Sequence, residues 1–378
     1  MRFRQQRFMK NETQTVNTTF SEALPDAGIL DSILLTVRVQ NASAHYDVVK
    51  AHIWDHISKI VVKADGLRYL KDVWGQTLLA EYATQYGKLP PGYIDLMSSN
   101  YSLLTFPIMF GRKLRDGKFG LDLSRFGETR LEVTNDYVST ELAGSTSIAY
   151  DVDLVYLEDA PTPVNFIGSS QISNKTWTGN SQDHTFEVPK DYLVRRILLG
   201  CESFRSDATS GQSNKAFRNL RYLTYTHKGG GIVLRDDDLY RSDQDVLWGF
   251  PDYLETMLNV EPRTGYTLDC GITRPMVASL TPSYSADPGS DTEVTIDQRM
   301  ERLLTFRRAD AGFQGRLIAG GYGALDHLVI HEDDPDDTGG YLNPNTQAKV
   351  EVKVGNSSSG GSSGIIRFIT QTVRPNGG

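Results

Sequence analysis

The stretch LPDAGILDSILL at residues 24–35 returns in altered form as VPKDYLVRRILL at residues 188–199. With the two prolines in register, the apolar triplet Ile33-Leu34-Leu35 matches Ile197-Leu198-Leu199. A second echo, LLTF, occurs at residues 103–106 and again at residues 303–306. We interpret these echoes as two β-rich halves that arose by duplication of one domain.

Composition limits the class of protein. The 378 residues suffice for two ordinary domains, and 34 glycines with 18 tyrosines favour β-structure with many turns. The formal charge of −8 argues against a protein that binds nucleic acid over its whole surface. Two cysteines cannot form a disulfide scaffold, and we expect Cys201 to be a small buried apolar residue. A single bridge from Cys201 to Cys270 remains an alternative.

The sequence shows no segment typical of membrane insertion or secretion. Its apolar runs are shorter than the roughly 20 residues that span a bilayer. The basic N-terminus is not followed by the apolar region of a secretory signal, so we expect folding in a cytoplasm.

Hydrophobic alternation predicts strands along most of the chain. It is clearest at Ile33–Val39 and Ser147–Leu157, and it is also present at Ile53–Val62. Trp74–Gly87 has helical spacing instead, with Gly87 as a suitable stop, and a shorter helical turn is expected at Ser242–Trp248. These patterns predict an all-β fold of two tandem eight-stranded antiparallel jelly rolls with short inserted helices.

The expected domain organisation has four parts. Residues 1–12 form a basic arm and residues 13–160 the first jelly roll. A linker follows at residues 161–165, where Pro161 and Pro163 interrupt strand structure. Residues 166–378 form the second jelly roll, and its least regular part, residues 204–300, is expected to form long loops.

The search for catalytic and cofactor-binding residues identifies none. His52 and His56 form H-x-x-x-H in a predicted strand, but Ile53 stands where a zinc protease has glutamate. His327 and His331 repeat this spacing on another predicted strand, where they lie about 13 Å apart, too far for one metal ion. The acidic runs Asp236–Asp238 and Glu332–Asp337 do not follow a calcium-loop pattern; we expect solvated loops, with weak calcium binding or a charged subunit contact as alternatives. The glycine runs at residues 229–231 and 320–323 are expected to be turns.

The N-terminal arm is the one charge cluster that stands out. Its cations are Arg2, Arg4, Arg7 and Lys10. They could simply solubilise a tail, or they could contact the phosphates of an internal membrane or a packaged genome.

Several passages together resemble the major capsid proteins of the double jelly-roll lineage of tailless icosahedral viruses. The resemblance spans nearly the whole chain and rests on Leu24-Pro25 before the strand Ile33–Val39, the helix Trp74–Gly87, Leu104–Gly111, Gly120–Leu123 and Thr129–Val133.

The resemblance implies a structural protein without enzymatic activity and without a cofactor. Three copies would form a pseudo-hexagonal capsomer, which would contact neighbouring capsomers, penton proteins and minor capsid proteins. The protein would be synthesised in the host cytoplasm and assembled into the virion. The arm, with Arg2, Arg4, Arg7 and Lys10, would face inward toward an inner membrane or the genome.

Two other classes compete with this interpretation. Tandem β-sandwiches also occur in glycan-binding and carbohydrate-active proteins, and aromatic residues predicted in loops could stack on sugars. Those residues are Trp74, Trp177, Tyr240, Trp248 and Tyr253. A viral spike or fibre is the second alternative, although such proteins usually repeat with a shorter period.

Overall fold

The computed structural model describes most of the chain. The described ranges are 1–40, 52–90, 92–95, 100–136, 147–159, 161–178, 182–203, 220–228, 232–238, 253–260, 267–268, 270, 272–284, 293–296, 304–308, 314–325, 327–332, 340–356 and 364–377.

The first half of the chain contains ten strands and one α-helix within these ranges. In chain order they are β1 Arg2–Thr15, β2 Thr19–Ala23, β3 Ile29–Gln40, β4 Ile57–Ala64, β5 Arg68–Val73, α1 Gly75–Tyr86, β6 Gly92–Asp95, β7 Tyr101–Met109, β8 Leu121–Asp122, β9 Thr129–Asn135 and β10 Ser147–Glu158. Two 3-10 turns lie at Ile53–Asp55 and Leu123–Arg125.

The second half continues with strands and, among its described residues, a 3-10 turn at Pro344–Thr346. The strands are β11 Asn165–Trp177, β12 Asp183–Glu187, β13 Leu193–Ser203, β14 Leu220–His227, β15 Ile232–Asp238, β16 Tyr253–Val260, β17 Thr267–Leu268, β18 Ile272–Tyr284, β19 Glu293–Ile296, β20 Leu304–Arg308, β21 Gln314–Ala324, β22 His327–His331, β23 Val350–Asn356 and β24 Gly364–Pro375.

Eight strands of each half form two antiparallel sheets, and the arrangement is the same in both halves. In the first half the strand orders are β1-β10-β3-β7 and β2-β9-β4-β5. In the second half they are β11-β24-β13-β22 and β12-β23-β14-β15. The two lists correspond strand for strand, so the predicted pair of eight-stranded jelly rolls is confirmed.

Three β-bulges recur at equivalent positions in the two halves. The extra residue is Phe8 in β1 and Ile172 in β11. It is Asp31 in β3 and Arg195 in β13, and it is Leu70 in β5 and Leu234 in β15. Each pair is 164 positions apart, as are the prolines of the opening motif. Since a bulge resets which side chains face the core, the shared bulges equate the strands residue by residue.

The region from residue 204 to residue 300 differs from the sequence prediction. Its described parts are strands rather than long loops. Two added sheets, β16-β21-β18 and β17-β20-β19, lie in the chain between β15 and β22. The glycines at residues 320–321 pair on both sides within β21 instead of forming a turn, and Asp236–Asp238 end a strand instead of lying in a loop. Composition misled here because proline and glycine residues, which usually interrupt strands, lie within the paired strands β18 and β21.

The second sequence echo, LLTF, lies on strands that are not equivalent in the two halves. Leu104 lies in β7, whereas Leu304 lies in β20 of an added sheet, and the strand equivalent to β7 is β22. The predicted strand at Ile53–Val62 begins with a 3-10 turn instead, because the carboxylate of Asp55 accepts a hydrogen bond from the amide of His52 at 3.3 Å. The predicted helix is confirmed, and Gly87 ends it in the left-handed conformation at φ 64°. The turn expected at Ser242–Trp248 lies outside the described residues.

The predicted arm is part of the first jelly roll. Residues 2–15 form β1, which pairs antiparallel with β10 from Arg2 opposite Glu158 to Thr15 opposite Ser147. The side chains of β1 do not alternate regularly between buried and exposed positions. Its sequence therefore lacks the period-two pattern of a strand, and its positive charges were the more prominent feature. The join between the domains is correspondingly short, since β11 already begins at Asn165.

The sheet that contains β13 is buried on both faces. Ile197 and Leu199 belong to the core of the second sandwich, whereas Leu198 between them belongs to the core cluster that includes the first sandwich. In β3, the equivalent strand, Ile33 and Leu35 are buried but Leu34 is only half-buried. The continuous apolar run of β13 is the pattern of a strand covered on both sides.

Candidate functional site: the domain junction and the N-terminal edge

The histidines proposed and rejected as metal ligands serve structural roles. His52 and His56 are buried on either side of the 3-10 turn, and the His52 ring stacks on Trp54 with centroids 4.0 Å apart. Among the residues that the structure describes, no group of three or more histidine, cysteine, aspartate or glutamate side chains could hold a metal ion. Cys201 and Cys270 are both buried and do not form the alternative disulfide.

The most elaborate polar arrangement lies where the two jelly rolls meet. Strand β5 of the first runs parallel beside β11 of the second, with Lys71 opposite Ser169 and Asp72 opposite Ser170. Strand β6 makes a similar short parallel contact with β16. Because the strands belong to different sandwiches, the domains are joined by backbone pairing as well as by side chains.

Helix α1 faces the second domain with a stripe of polar side chains. Thr77, Glu81 and Gln85 follow one another at four-residue spacing, so they lie on one face of the helix. Each contacts a charged or hydrogen-bonding side chain held on a strand. We call these three side chains and their partners the junction seam.

The centre of the junction seam is a fully buried ion pair. The Lys71 ammonium lies 3.5 Å from Glu81 Oε2, and both side chains are at most 1 % exposed. Lys71 Nζ also donates a hydrogen bond to Ser169 Oγ at 2.9 Å, across the domain boundary. Burial lowers the pKa of Lys71, while the nearby Glu81 carboxylate opposes that effect. A charge placed here depends on its partner.

One end of the seam binds two arginines of β13. The Gln85 side-chain oxygen accepts hydrogen bonds from Arg195 at 2.9 Å and from Arg196 at 3.0 Å. Arg195 also donates to Gln371 Oε1 at 3.0 Å and to the carbonyl of Arg112 at 3.2 Å. Arg195 therefore links α1, β24 and a first-domain loop.

The other end of the seam contains His327. Its Nδ1 lies 2.6 Å from the carbonyl of Leu325, which can only accept, so Nδ1 carries the proton and Nε2 accepts from the Thr77 hydroxyl at 3.0 Å. Burial lowers the pKa of His327 to about 4. The ring fits because Gly200 is its neighbour on β13, where a Cβ would lie 2.9 Å from Nε2.

The C-terminal segment fastens the join between the domains. The Asn376 side-chain amide donates to the carbonyls of Gly120 and Pro163, both at 2.8 Å, and its oxygen accepts from the amide of Asp122 at 3.1 Å. Arg374 donates to the carbonyl of Tyr69 at 2.6 Å. The last strand thus holds the linker, β8 and the β4–β5 hairpin together.

The four predicted cations of the arm lie along β1. Arg4 bonds to Glu158, Arg7 bonds to Asp153, and the Arg2 guanidinium lies 3.6 Å from Asp159. Asp153 raises the pKa of Arg7. Lys10 is exposed. The structure therefore uses Arg4 and Arg7 to neutralise acids of the same domain, while Arg2 keeps 81 % of its side chain exposed.

Sequence analysis missed the junction seam. Lys71, Glu81 and Gln85 look like ordinary surface residues in the printed sequence. One signal was present: α1 has apolar residues on most sides, at Leu78, Leu79, Ala80, Tyr82 and Ala83, and such a helix must also bury the polar residues between them. The partners on β13 and β22 could not be inferred without the domain arrangement.

Known proteins resemble this chain in fold alone. No protein-family model matches the chain, and no curated protein matches its sequence. The structure resembles the major capsid protein P2 of bacteriophage PM2, at 10 % identity and a TM-score of 0.53 over 100 % of both chains. It also resembles the major capsid protein of STIV (Sulfolobus turreted icosahedral virus), at 7 % identity and a TM-score of 0.55 over 100 % of this chain and 97 % of that one.

A third match has the same extent. PBCV-1 VP54, in a crystal structure fitted into a reconstruction of the virophage Sputnik, has 7 % identity and a TM-score of 0.53 over 98 % of this chain and 94 % of that one. At such identities the likeness concerns the fold. The chain has the double jelly-roll fold of these capsid proteins from end to end.

Proposed function

We propose that this protein is a structural major capsid protein of an icosahedral virus, in which three copies form a pseudo-hexagonal capsomer. The observation that carries the proposal is the match with capsid proteins over the full length of both chains, so that neither partner has a domain that the other lacks. Fold alone does not determine function. The support here is more specific, because both jelly rolls match in the same order and over nearly the same chain length.

The domain junction supports a shell-forming role. A sheet buried on both faces, a parallel strand contact and the junction seam bind the two sandwiches into one block. A shell needs such blocks because its curvature and spacing depend on a fixed angle between neighbouring domains. The C-terminal segment strengthens the same join through Asn376.

The partners of the capsomer follow from this role. We propose contacts with neighbouring capsomers, penton proteins and minor capsid proteins, and a location in the virion after synthesis in the host cytoplasm. Of the four exposed cations of the N-terminal strand, we propose Arg2 and Lys10 as the contacts of an inner membrane or the genome, because Arg4 and Arg7 already pair with Glu158 and Asp153. Within the described residues, no helix is both long enough and apolar enough to cross a bilayer.

The glycan-binding alternative gains no specific support. Trp74 and Trp177, two of its proposed sugar-stacking residues, are buried in the protein. Trp248 and Tyr240 lie outside the described residues. We therefore propose no enzymatic or lectin activity.

The native mass of the purified protein tests the proposal. Light scattering on a sizing column is expected to give the mass of three chains, and electron microscopy of concentrated samples is expected to show hexagonal particles or sheets. A protein that stays monomeric at all concentrations, and that binds or cleaves a glycan, would contradict the proposal and support the alternative.

A further inference from the structure

Because the two halves are equivalent, the contact between the two domains of one chain predicts a similar contact between domains of two chains. Within the chain, β5 of the first domain pairs with β11 of the second, at Lys71 opposite Ser169 and Asp72 opposite Ser170. The shared bulges identify the equivalents of these strands: β15 corresponds to β5, and β1 corresponds to β11.

The equivalence extends to single residues. The bulge at Phe8 matches the bulge at Ile172, so Gln5 and Gln6 of β1 lie where Ser169 and Ser170 lie on β11. The bulge at Leu70 matches the bulge at Leu234, so Arg235 and Asp236 of β15 follow it as Lys71 and Asp72 follow Leu70. Even the residue types agree, because Leu-Lys-Asp in one strand becomes Leu-Arg-Asp in the other.

Both equivalent strands end their sheets. Among the described strands, β1 is paired through one edge to β10, and β15 through one edge to β14. Strand β1 is 14 residues long and largely exposed, which makes its outer edge a ready site for another strand. Repeating the step that leads from the first domain to the second would bring β1 of a second copy beside β15.

We infer that β15 of one copy pairs in parallel with the outer edge of β1 of a second copy, with Arg235 opposite Gln5 and Asp236 opposite Gln6. The inference rests on the proposed capsomer and gives that capsomer its subunit contact. Three repeats of this head-to-tail contact, alternating with three junctions within the chains, make a closed ring of six sandwiches.

The charges of the two strands favour pairing of β1 with β15 over pairing of two β1 strands or of two β15 strands. Arg4 and Arg7 flank Gln5 and Gln6 on β1, whereas β15 ends in Asp236–Asp238. Two β1 edges facing each other would bring like charges together, and so would two β15 ends. Arg4 and Arg7 are each about half exposed despite their bonds to β10, so they can meet additional acids.

The outer faces of the two domains agree with the same arrangement. Leu198 of β13 is completely buried against the first domain. Its equivalent, Leu34 of β3, is only half-buried in the single chain. A second copy beside β1 would cover the face of Leu34 as the first domain covers the face of Leu198.

Cross-linking between two singly substituted proteins tests the inference. We would mix Gln5→Cys with Arg235→Cys, and in parallel Gln6→Cys with Asp236→Cys, and oxidise each mixture. Neighbouring residues on paired strands are close enough for a disulfide, and both native cysteines are buried. Each mixture is expected to yield a two-chain product containing one of each variant.

The controls separate register from chance contact. Thr13→Cys mixed with Arg235→Cys places the first thiol eight residues along β1, where no product is expected. Asp72→Cys with Ser170→Cys in one chain should form an internal bridge and so confirm that the template geometry can be cross-linked.

The native mass of the same samples distinguishes the two levels of the proposal. Oligomers of three chains without the mixed disulfide, or with an equal yield from Thr13→Cys, would overturn the β1–β15 contact while leaving the capsid function standing. Monomers that do not cross-link would overturn both.

Discussion

Asp31 and Arg195 occupy the same position in the two halves, and both bind the same loop. Each is the extra residue of an equivalent β-bulge. The Asp31 carboxylate accepts hydrogen bonds from the amides of Arg115 and Asp116, both at 2.9 Å. Arg195 donates to the carbonyl of Arg112 at 3.2 Å. Duplication supplied two buried bulge positions, and opposite charges at them hold the two ends of one loop of the first domain.

We therefore expect Asp31→Asn and Arg195→Met to loosen the same loop. The asparagine would present a donor to one of two amides, and the methionine would remove the bonds from Arg195 to the Arg112 carbonyl and to Gln371. Each change should therefore cost about 1–3 kcal/mol in urea unfolding. Hydrogen exchange at residues 112–116 should rise in both variants. Asp26→Asn, at an exposed site, is the control. Unchanged exchange in either bulge variant would contradict the shared role.

The ion pair of Lys71 and Glu81 gives a second prediction. Lys71→Met leaves the Glu81 carboxylate buried without its charge partner, which should cost about 3–5 kcal/mol. The double variant with Glu81→Leu should recover much of that loss, since it removes both buried charges. Lys63→Met, which breaks a partly exposed pair with Glu132 at 2.6 Å, should cost at most about 1 kcal/mol. Equal losses for Lys71→Met and Lys63→Met would show that the buried pair has no special weight.

His327 predicts a loss of stability in acid. Burial depresses its pKa to about 4, below the ordinary value of 6.5, so the unfolded chain takes up this proton before the folded one. Its contribution is complete above pH 6.5 and is lost as the pH falls toward 4, by about 3 kcal/mol at most. The group faces Thr77 and the carbonyl of Leu325, and the positive charge of Arg367 lowers the pKa further.

His327→Gln should flatten this part of the stability profile between pH 7 and pH 4. The measurement is the urea midpoint at several pH values, compared with His331→Gln at the exposed end of the same strand. A variant that follows the parent protein at every pH would assign the acid sensitivity to other groups.

Asn376→Ala tests the fastening of the domain join. The change removes bonds to Gly120, Pro163 and Asp122, and we expect a loss of about 1–3 kcal/mol. Limited proteolysis should then cut first near residues 161–164. Asn345→Ala, at an exposed position, should leave both stability and cleavage unchanged. Cleavage elsewhere, with an intact linker, would argue against a fastening role.

The exposed cations of β1 give a prediction for assembly. Arg2→Glu with Lys10→Glu should leave the mass of the oligomer unchanged but reduce the yield of complete particles, if these residues contact a membrane or genome as proposed. The same reversal at Lys349, which directly precedes β23, and at Lys353 on β23 is the matched control. Normal particle yield from the β1 variant would remove that contact from the proposal.

The sequence allowed the jelly rolls to be predicted because one-sided strands alternate and because the opening motif repeats. It did not reveal the added sheets around β21, because Pro275, Pro282 and the glycines at residues 320–321 lie within paired strands instead of interrupting them. Nor did it reveal that Lys71 and Glu81 meet, since a buried ion pair has the same letters as an exposed one. The apolar run Ile197–Cys201, where alternation stops, is consistent with the burial of Leu198. The structure gives the reason, because Leu198 packs in the core cluster that includes the first sandwich.

The coincident bulges also carry a record of ancestry. Losing one extra residue would turn the rest of its strand inside out, exposing core side chains and burying charged ones, so selection removes such losses at once. Substitutions within the strand meet no comparable barrier, and Asp31 could diverge from Arg195 while the kink beneath them stayed. In distant relatives whose letters no longer agree, the spacing of these kinks is therefore the trait by which descent from one ancestral sandwich can still be read.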